Sequence, residues 1–122
     1  RKLRAEDRML GLLIHHKKLI KYADDFDVQM LNEGFHQKIF KLVCERIKLD
    51  LDIDLMNFGD TLSSNEMGRL SGIIARAADS SDPDGEFNDC IAIIKDEYQK
   101  ESVKKSDMDS ISDDDFRKLF NQ

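Results

Sequence analysis

Apolar residues recur every three or four positions along most of the chain, and this periodicity constrains the fold more than any other feature of the sequence. One proline and six glycines interrupt it, and runs that alternate apolar and polar residues over long stretches are nearly absent. The pattern therefore predicts an all-α protein. We expect a compact multi-helix bundle, followed by a long helix and a short terminal helix that together form a helical hairpin.

The apolar stripes and the residues that cap helices predict where each helix lies. Helices are expected over residues 5–16, 17–23, 32–48, 55–58, 63–77 and 86–104, and from residue 112 onwards. Asn32 is the expected N-cap of the third helix, which we expect to be the central one, and Ser63 with Glu66 has the spacing of a capping box. Residues 79–85 form the plainest break and residues 106–110 a polar turn. The chain thus divides into a bundle, residues 1–84, and a hairpin, residues 85–122.

The terminal helix is predicted to bind a partner. Its three large apolar side chains share one face, and a helix of about ten residues is marginal alone in water. This face either folds back on the end of the long helix or is offered to a partner, and both can hold at once. The candidate partner-binding residues are Ile111, Phe116, Arg117, Leu119 and Phe120.

Charge argues against direct binding to nucleic acid, and the length of the apolar runs argues against a membrane span. The chain carries 19 Lys and Arg against 25 Asp and Glu, a formal charge of −6, so it lacks the basic surface that a phosphate backbone requires. No apolar run approaches the roughly 20 residues of a membrane span, and we expect a cytoplasmic protein.

Cys44 and Cys90 each lie in an apolar helical pattern, which favours two buried free thiols over a disulfide between them.

No acidic segment completes a calcium loop. Asp50-x-Asp52-x-Asp54 resembles the start of an EF-hand loop, but Leu55 stands where the motif needs glycine. The stretch of residues 80–91 ends on Ile91, which cannot supply the closing carboxylate. We therefore expect no metal at either position.

The histidines do not form a recognisable catalytic or metal-binding pattern. His15 and His16 are adjacent, so on a helix their side chains point about 100° apart, and we expect them at the surface or at a helix end. His36 is expected to be a structural residue that hydrogen-bonds a neighbouring loop. Ser-His-Asp, Gly-rich phosphate-loop, CxxC and HExxH patterns are absent. We therefore expect neither an enzyme nor a cofactor.

Three segments of the chain resemble one protein family. These are Ala5-Glu6 with the apolar run that follows, Leu31, and residues 35–40 with the sequence Phe-His-Gln-Lys-Ile-Phe. Together they resemble the C-terminal helicase-binding domain of bacterial primase and the related N-terminal domain of the replicative helicase. The resemblance extends from Ala5 to about Tyr98.

The resemblance implies a function in DNA replication. A domain of this family docks primase on the N-terminal domain of the hexameric helicase, has no chemistry of its own, and modulates priming and unwinding. We favour the primase form, expected to be a monomer alone, because the chain begins without Met and ends on an apolar helix. Gly11 after Leu10 is commoner in the helicase form, which remains the alternative. A third possibility is an unrelated helical adaptor that binds another protein.

Overall fold

The computed structural model describes residues 1–32 and 34–111, and it describes side chains in both ranges as far as Glu101. Within these ranges the protein consists of four α-helices and three 3-10 helices and contains no strand. The prediction of an all-α fold is therefore confirmed. The α-helices are α1 (Lys2–His15), α2 (Phe35–Lys48), α3 (Ser64–Arg76) and α4 (Pro83–Ile111), and the 3-10 helices span Lys17–Tyr22, Val28–Met30 and Leu55–Phe58.

Helix α1 is the centre of the bundle and packs against α2, α3 and α4. Met9, Leu10, Leu12 and Leu13 are fully buried, so α1 is enclosed on several sides. Burial of each such side chain contributes about 1.5–3 kcal/mol to folding. The prediction that the third helix would be central is therefore wrong. That helix, α2, has a charged face and packs along one side only, whereas α1 is apolar around much of its girth.

Helices α1 and α3 approach each other closely at Gly11. A Cβ atom added at Gly11 would lie 2.7 Å from the Cβ of Ala77 and 2.7 Å from the carbonyl oxygen of Ile73. Real Cβ atoms essentially never come this near to other atoms. The absence of a side chain at Gly11 is therefore what lets the two helices make this contact.

Helix α2 does not begin as predicted. Its N-cap is Gly34, whose backbone φ of 84° lies in a region that residues with a side chain rarely adopt. Asn32 is not the N-cap, because its backbone N–H and its side-chain amide both donate to the carboxylate of Glu6 on α1.

The capping box at the start of α3 is confirmed. The Ser63 hydroxyl accepts from the backbone N–H of Glu66 at 3.2 Å, and the Glu66 carboxylate accepts from the backbone N–H of Ser63 at 3.0 Å. Because the Ser63 backbone N–H, with some help from Lys38, stabilises the charged form, the pKa of Glu66 lies below its ordinary value.

Helix α4 is longer than predicted at both ends. It begins at Pro83, which suits a first helical position, and the Asp82 carboxylate accepts from the backbone N–H of Gly85 at 3.2 Å. It also continues through residues 106–110, so the predicted polar turn is wrong. Residues 104–111 contain neither proline nor glycine, and polar residues alone do not end a helix. The 29 residues span about 43 Å at 1.5 Å per residue.

The first half of α4 shares the core of the bundle. Phe87 and Ile94 are fully buried in the same apolar cluster as the residues of α1. The predicted boundary at residue 84 therefore falls within the first turn of α4, a helix that packs against the bundle, and a separate role for residues 85–122 stays a prediction. None of the helices in the described residues is both long and apolar enough to cross a membrane.

Candidate partner-binding surface

The predicted partner-binding residues lie at and beyond the end of α4. Ile111 is the last residue of α4, and its side chain lies outside the described part of the chain. Phe116, Arg117, Leu119 and Phe120 also lie outside the described residues, as does the predicted terminal helix. The structure therefore describes how the helix that leads to this surface is held.

Helix α4 runs antiparallel to α1. Near its start, Glu86 forms a salt bridge with Arg8 at 2.7 Å. Farther along, Glu101 lies 3.8 Å from the ammonium group of Lys2, at the opposite end of α1. Beyond Glu101, α4 continues over residues 102–111, which is about 15 Å at 1.5 Å per residue. The helix thus carries the chain past its last described contact with α1.

The burial of α4 decreases along its length. Phe87, Cys90, Ile91 and Ile94 are buried, whereas no residue from 95 to 101 is, and Tyr98 is only half-buried. Burial in the described part of α4 is therefore confined to its first half. The start of α4 is thus packed into the bundle, and its continuation extends from there.

A polar cluster ties the start of α4 to α1 and α3. The guanidinium of Arg8 donates to the Glu86 carboxylate at 2.8 Å and 2.7 Å and also donates to the backbone carbonyl of Arg76 at the end of α3. The Ser80 hydroxyl donates to the same carboxylate. The hydrogen bond from Ser80, followed by that from Arg8, lowers the pKa of Glu86. Arg8 and Glu86 are 78 residues apart, so no local sequence pattern could have paired them.

A second polar cluster lies in the core between α1 and α2. Glu6 is completely buried, and its two carboxylate oxygens accept from the backbone N–H and the side-chain amide of Asn32, each at 2.8 Å. His36 is also buried, with Nε2 2.7 Å from an Asp7 carboxylate oxygen and Nδ1 3.8 Å from Glu6. His36 is thus structural, as predicted, but its partner is α1 and not a loop. This arrangement fixes α2 against α1 and was not predicted from the sequence.

A cleft of about 530 Å³ lies between α1 and the end of α3. Three arginines and two aspartates line it, and most of them are engaged with each other or with neighbours. Arg8 is paired with Glu86, and Asp7 contacts both His36 and Arg76. These charged groups hold the helices together.

The remaining candidates have structural positions. Cys44 and Cys90 are free thiols, half-buried and buried respectively, and burial raises the pKa of each to about 11. Both thiols are free, as predicted, but only Cys90 is buried as expected, because Cys44 is partly exposed. His15 ends α1 and donates to the Ile74 carbonyl at 2.6 Å, and His16 is the C-cap, as predicted for helix-end histidines.

The acidic segment at residues 50–54 does not form a metal centre in the part of the chain that the structure describes. No three histidine, cysteine, aspartate or glutamate side chains in that part are placed to hold an ion. Asp54 instead caps the 3-10 helix Leu55–Phe58, where its carboxylate accepts from the backbone N–H of Met56.

Comparison with known proteins leaves the function to be inferred from the residues themselves. No family model, no curated protein and no solved structure matches the chain.

Proposed function

We propose that the chain is a non-catalytic protein-interaction domain of the primase type, which docks on the N-terminal domain of the hexameric replicative helicase. One observation carries this proposal: the segments on which the resemblance rests meet at a single buried polar cluster. Glu6 comes from the first segment, Asn32 follows Leu31, and His36 belongs to the third.

The chemistry of this cluster explains why the meeting of the three segments supports the proposal. A buried carboxylate strongly destabilises a fold unless donors satisfy it. Here the donors are supplied by Asn32, 26 residues away in the sequence. Short patterns that match a family by chance have no reason to lie in contact, whereas patterns that belong to one fold do. The cluster therefore supports a common architecture behind the resemblance.

The geometry of α4 supports docking through its far end. The helix is anchored at Glu86 and extends past its last described contact at Glu101. A domain that holds primase on the helicase raises the effective concentration of the catalytic part at unwound template, and it needs no contact of its own with DNA. The net charge of −6 is consistent with that division of labour.

The docking proposal is tested by mixing the 122-residue chain with the hexameric helicase of the same organism. We expect co-elution in size-exclusion chromatography with light scattering. Phe116→Ala and Phe120→Ala should each raise the Kd about 30-fold, equivalent to about 2 kcal/mol, because aromatic anchors usually dominate such contacts. Leu3→Ala is the matched control, since Leu3 is an exposed apolar residue of α1.

Circular dichroism should show that all three variants remain helical. Failure to co-elute at micromolar concentrations would reject docking on the helicase. If both phenylalanine variants bind as tightly as the parent, the contact lies on the bundle. A general loss of helicity would place the terminal helix in the core.

The alternative form is the N-terminal domain of the replicative helicase itself. Gly11, which follows Leu10 and allows the close contact between α1 and α3, is the observation in its favour. Light scattering of the chain alone separates the two forms. A monomer supports the primase form, whereas self-association supports the helicase form. A monomer that does not bind the helicase supports an unrelated adaptor.

We further infer that the chain has no catalytic activity and no direct affinity for DNA. Purified protein should neither synthesise primers nor hydrolyse nucleotides, and any template-dependent product from a pure sample would overturn this. Binding to DNA should be no tighter than ~10⁻⁴ M at physiological salt, the weak end of non-specific affinity. A micromolar, salt-dependent isotherm would contradict that expectation.

A further inference from the structure

The exposed apolar side chains of the described residues are concentrated in one segment. Among the side chains that the structure describes, four large apolar ones are substantially exposed, and three of them lie between residues 49 and 56. They are Leu49 at 61%, Leu51 at 41% and Met56 at 83% exposure, and we call these three residues the Met56 patch. Isolated exposed apolar residues are common on protein surfaces, whereas grouped ones are typical of interaction sites, and these three lie within eight residues of the chain.

The Met56 patch is interspersed with acid. Residues 49–60 contain four aspartates and no lysine or arginine. None of these aspartates forms a salt bridge with another residue that the structure describes. They are Asp50, Asp52, Asp54 and Asp60. The surface thus combines apolar anchors with negative charge that its own chain does not neutralise.

The backbone beneath the patch is held in place. The guanidinium of Arg46 donates to the Asp52 carbonyl, and the backbone N–H of Leu51 donates to the Arg46 carbonyl at 2.8 Å. A capping box between Asp54 and Asn57 fixes the following turn. A partner would therefore meet a preformed surface, which reduces the loss of conformational entropy on binding.

A cavity of about 570 Å³ adjoins the same segment. Its apolar wall is formed by Ile14, Ile53, Leu55 and Ile74 from three different parts of the chain. Its polar lining includes Asp52, Asp54, His15 and Lys17. His15 already donates to the Ile74 carbonyl, and the two aspartates outnumber Lys17 among the remaining charged groups of the lining. The cavity offers room for a large apolar side chain beside acidic groups.

We propose that the Met56 patch and the adjoining cavity bind a cationic amphipathic helix of a partner protein. One large apolar side chain of that helix enters the cavity and others cover Met56 and its neighbours, while its lysines or arginines face the aspartates. An acidic peptide would be repelled by the same carboxylates. A second copy of the chain is disfavoured, because a two-fold contact would bring the same aspartates face to face.

The proposal is tested on the full 122-residue chain with a synthetic probe. The probe is a fluorescent peptide of about 14 residues, made of leucine and lysine in a helical amphipathic order, and the control peptide has glutamate in place of lysine. We expect the lysine peptide to bind and the glutamate peptide to bind at least about tenfold more weakly. Amide chemical-shift changes should be confined to residues 49–60 and to the residues that line the cavity.

Substitutions that leave the charge unchanged separate a built surface from general attraction to an acidic protein. Met56→Ser should weaken binding of the lysine peptide at least about tenfold, because it removes the most exposed apolar anchor. Leu3→Ser is the matched control, since Leu3 is 54% exposed outside the patch, and it should leave binding within about twofold.

Three results would overturn the proposal. They are equal binding of both peptides, binding that Met56→Ser does not change, and self-association of the chain that Met56→Ser abolishes. Because no helicase is present, the outcome is separate from that of the docking experiment.

Discussion

The replacement of Gly11 by alanine tests the central packing contact of the fold, since two physical effects of opposite sign compete there. Alanine is favoured over glycine in the interior of a helix by about 1 kcal/mol. On sequence grounds alone, Gly11→Ala should therefore stabilise α1. In the structure, however, the new methyl group would lie 2.7 Å from both the Ile73 carbonyl oxygen and the Ala77 Cβ.

The packing effect is expected to prevail. Extra volume in a well-packed core costs about 1–3 kcal/mol, and the upper end applies here because the Ile73 carbonyl belongs to the backbone and cannot rotate away. With about 3 kcal/mol lost to crowding and about 1 kcal/mol gained from helix propensity, Gly11→Ala should lower the free energy of unfolding by about 2 kcal/mol. For a chain of this length, Tm should fall by about 8 °C.

Gly68→Ala is the matched control. Gly68 is exposed on α3, and a Cβ there would meet nothing within 4 Å, so only the propensity effect remains. This variant should gain about 0.5–1 kcal/mol. Both are measured by thermal and urea denaturation followed by circular dichroism at the helix band. If Gly11→Ala raises Tm as Gly68→Ala does, α1 and α3 are not in the close contact described above.

Three further predictions concern buried or paired groups. Since burial raises the pKa of Cys44 and Cys90 to about 11, alkylation should be at least about tenfold slower in the folded protein than in denaturant, as followed by mass spectrometry; equally fast alkylation would refute their burial. Glu6→Ala should lower the free energy of unfolding in urea by about 3 kcal/mol, because the donors of Asn32 lose their acceptor, and Glu6→Gln should have a smaller effect; a neutral Glu6→Ala would contradict this account. The pKa of Glu86 is lowered, so its ionised carboxylate stabilises the fold above pH 4.5, the ordinary glutamate pKa, and this contribution is lost as the pH falls through the lowered value. Glu86→Gln should therefore make the free energy of unfolding less dependent on pH in the acid range. An unchanged pH dependence would refute this.

The candidate binding surface could be predicted only in part from the sequence. Its residues from Phe116 onwards remain a prediction, because they lie outside the described part of the chain. The length of α4 was underestimated. The polarity of residues 106–110 predicted a turn, although none of these residues breaks a helix. The Met56 patch was not predicted at all. Exposure depends on which other elements cover a side chain, and the sequence near Met56 does not contain that information.

The sequence by itself determined the features that depend on residues a few positions apart. The helical class follows from apolar spacing, and the Ser63–Glu66 capping box follows from two residues one helical turn apart. Tertiary structure decided which donors and surfaces meet across long separations. Asn32 donates hydrogen bonds to the buried carboxylate of Glu6 instead of capping α2, and the backbone of α3 lies against Gly11. The physical reason is that a local hydrogen bond needs only the neighbouring turn, whereas burial and long-range pairing depend on how whole helices pack around α1.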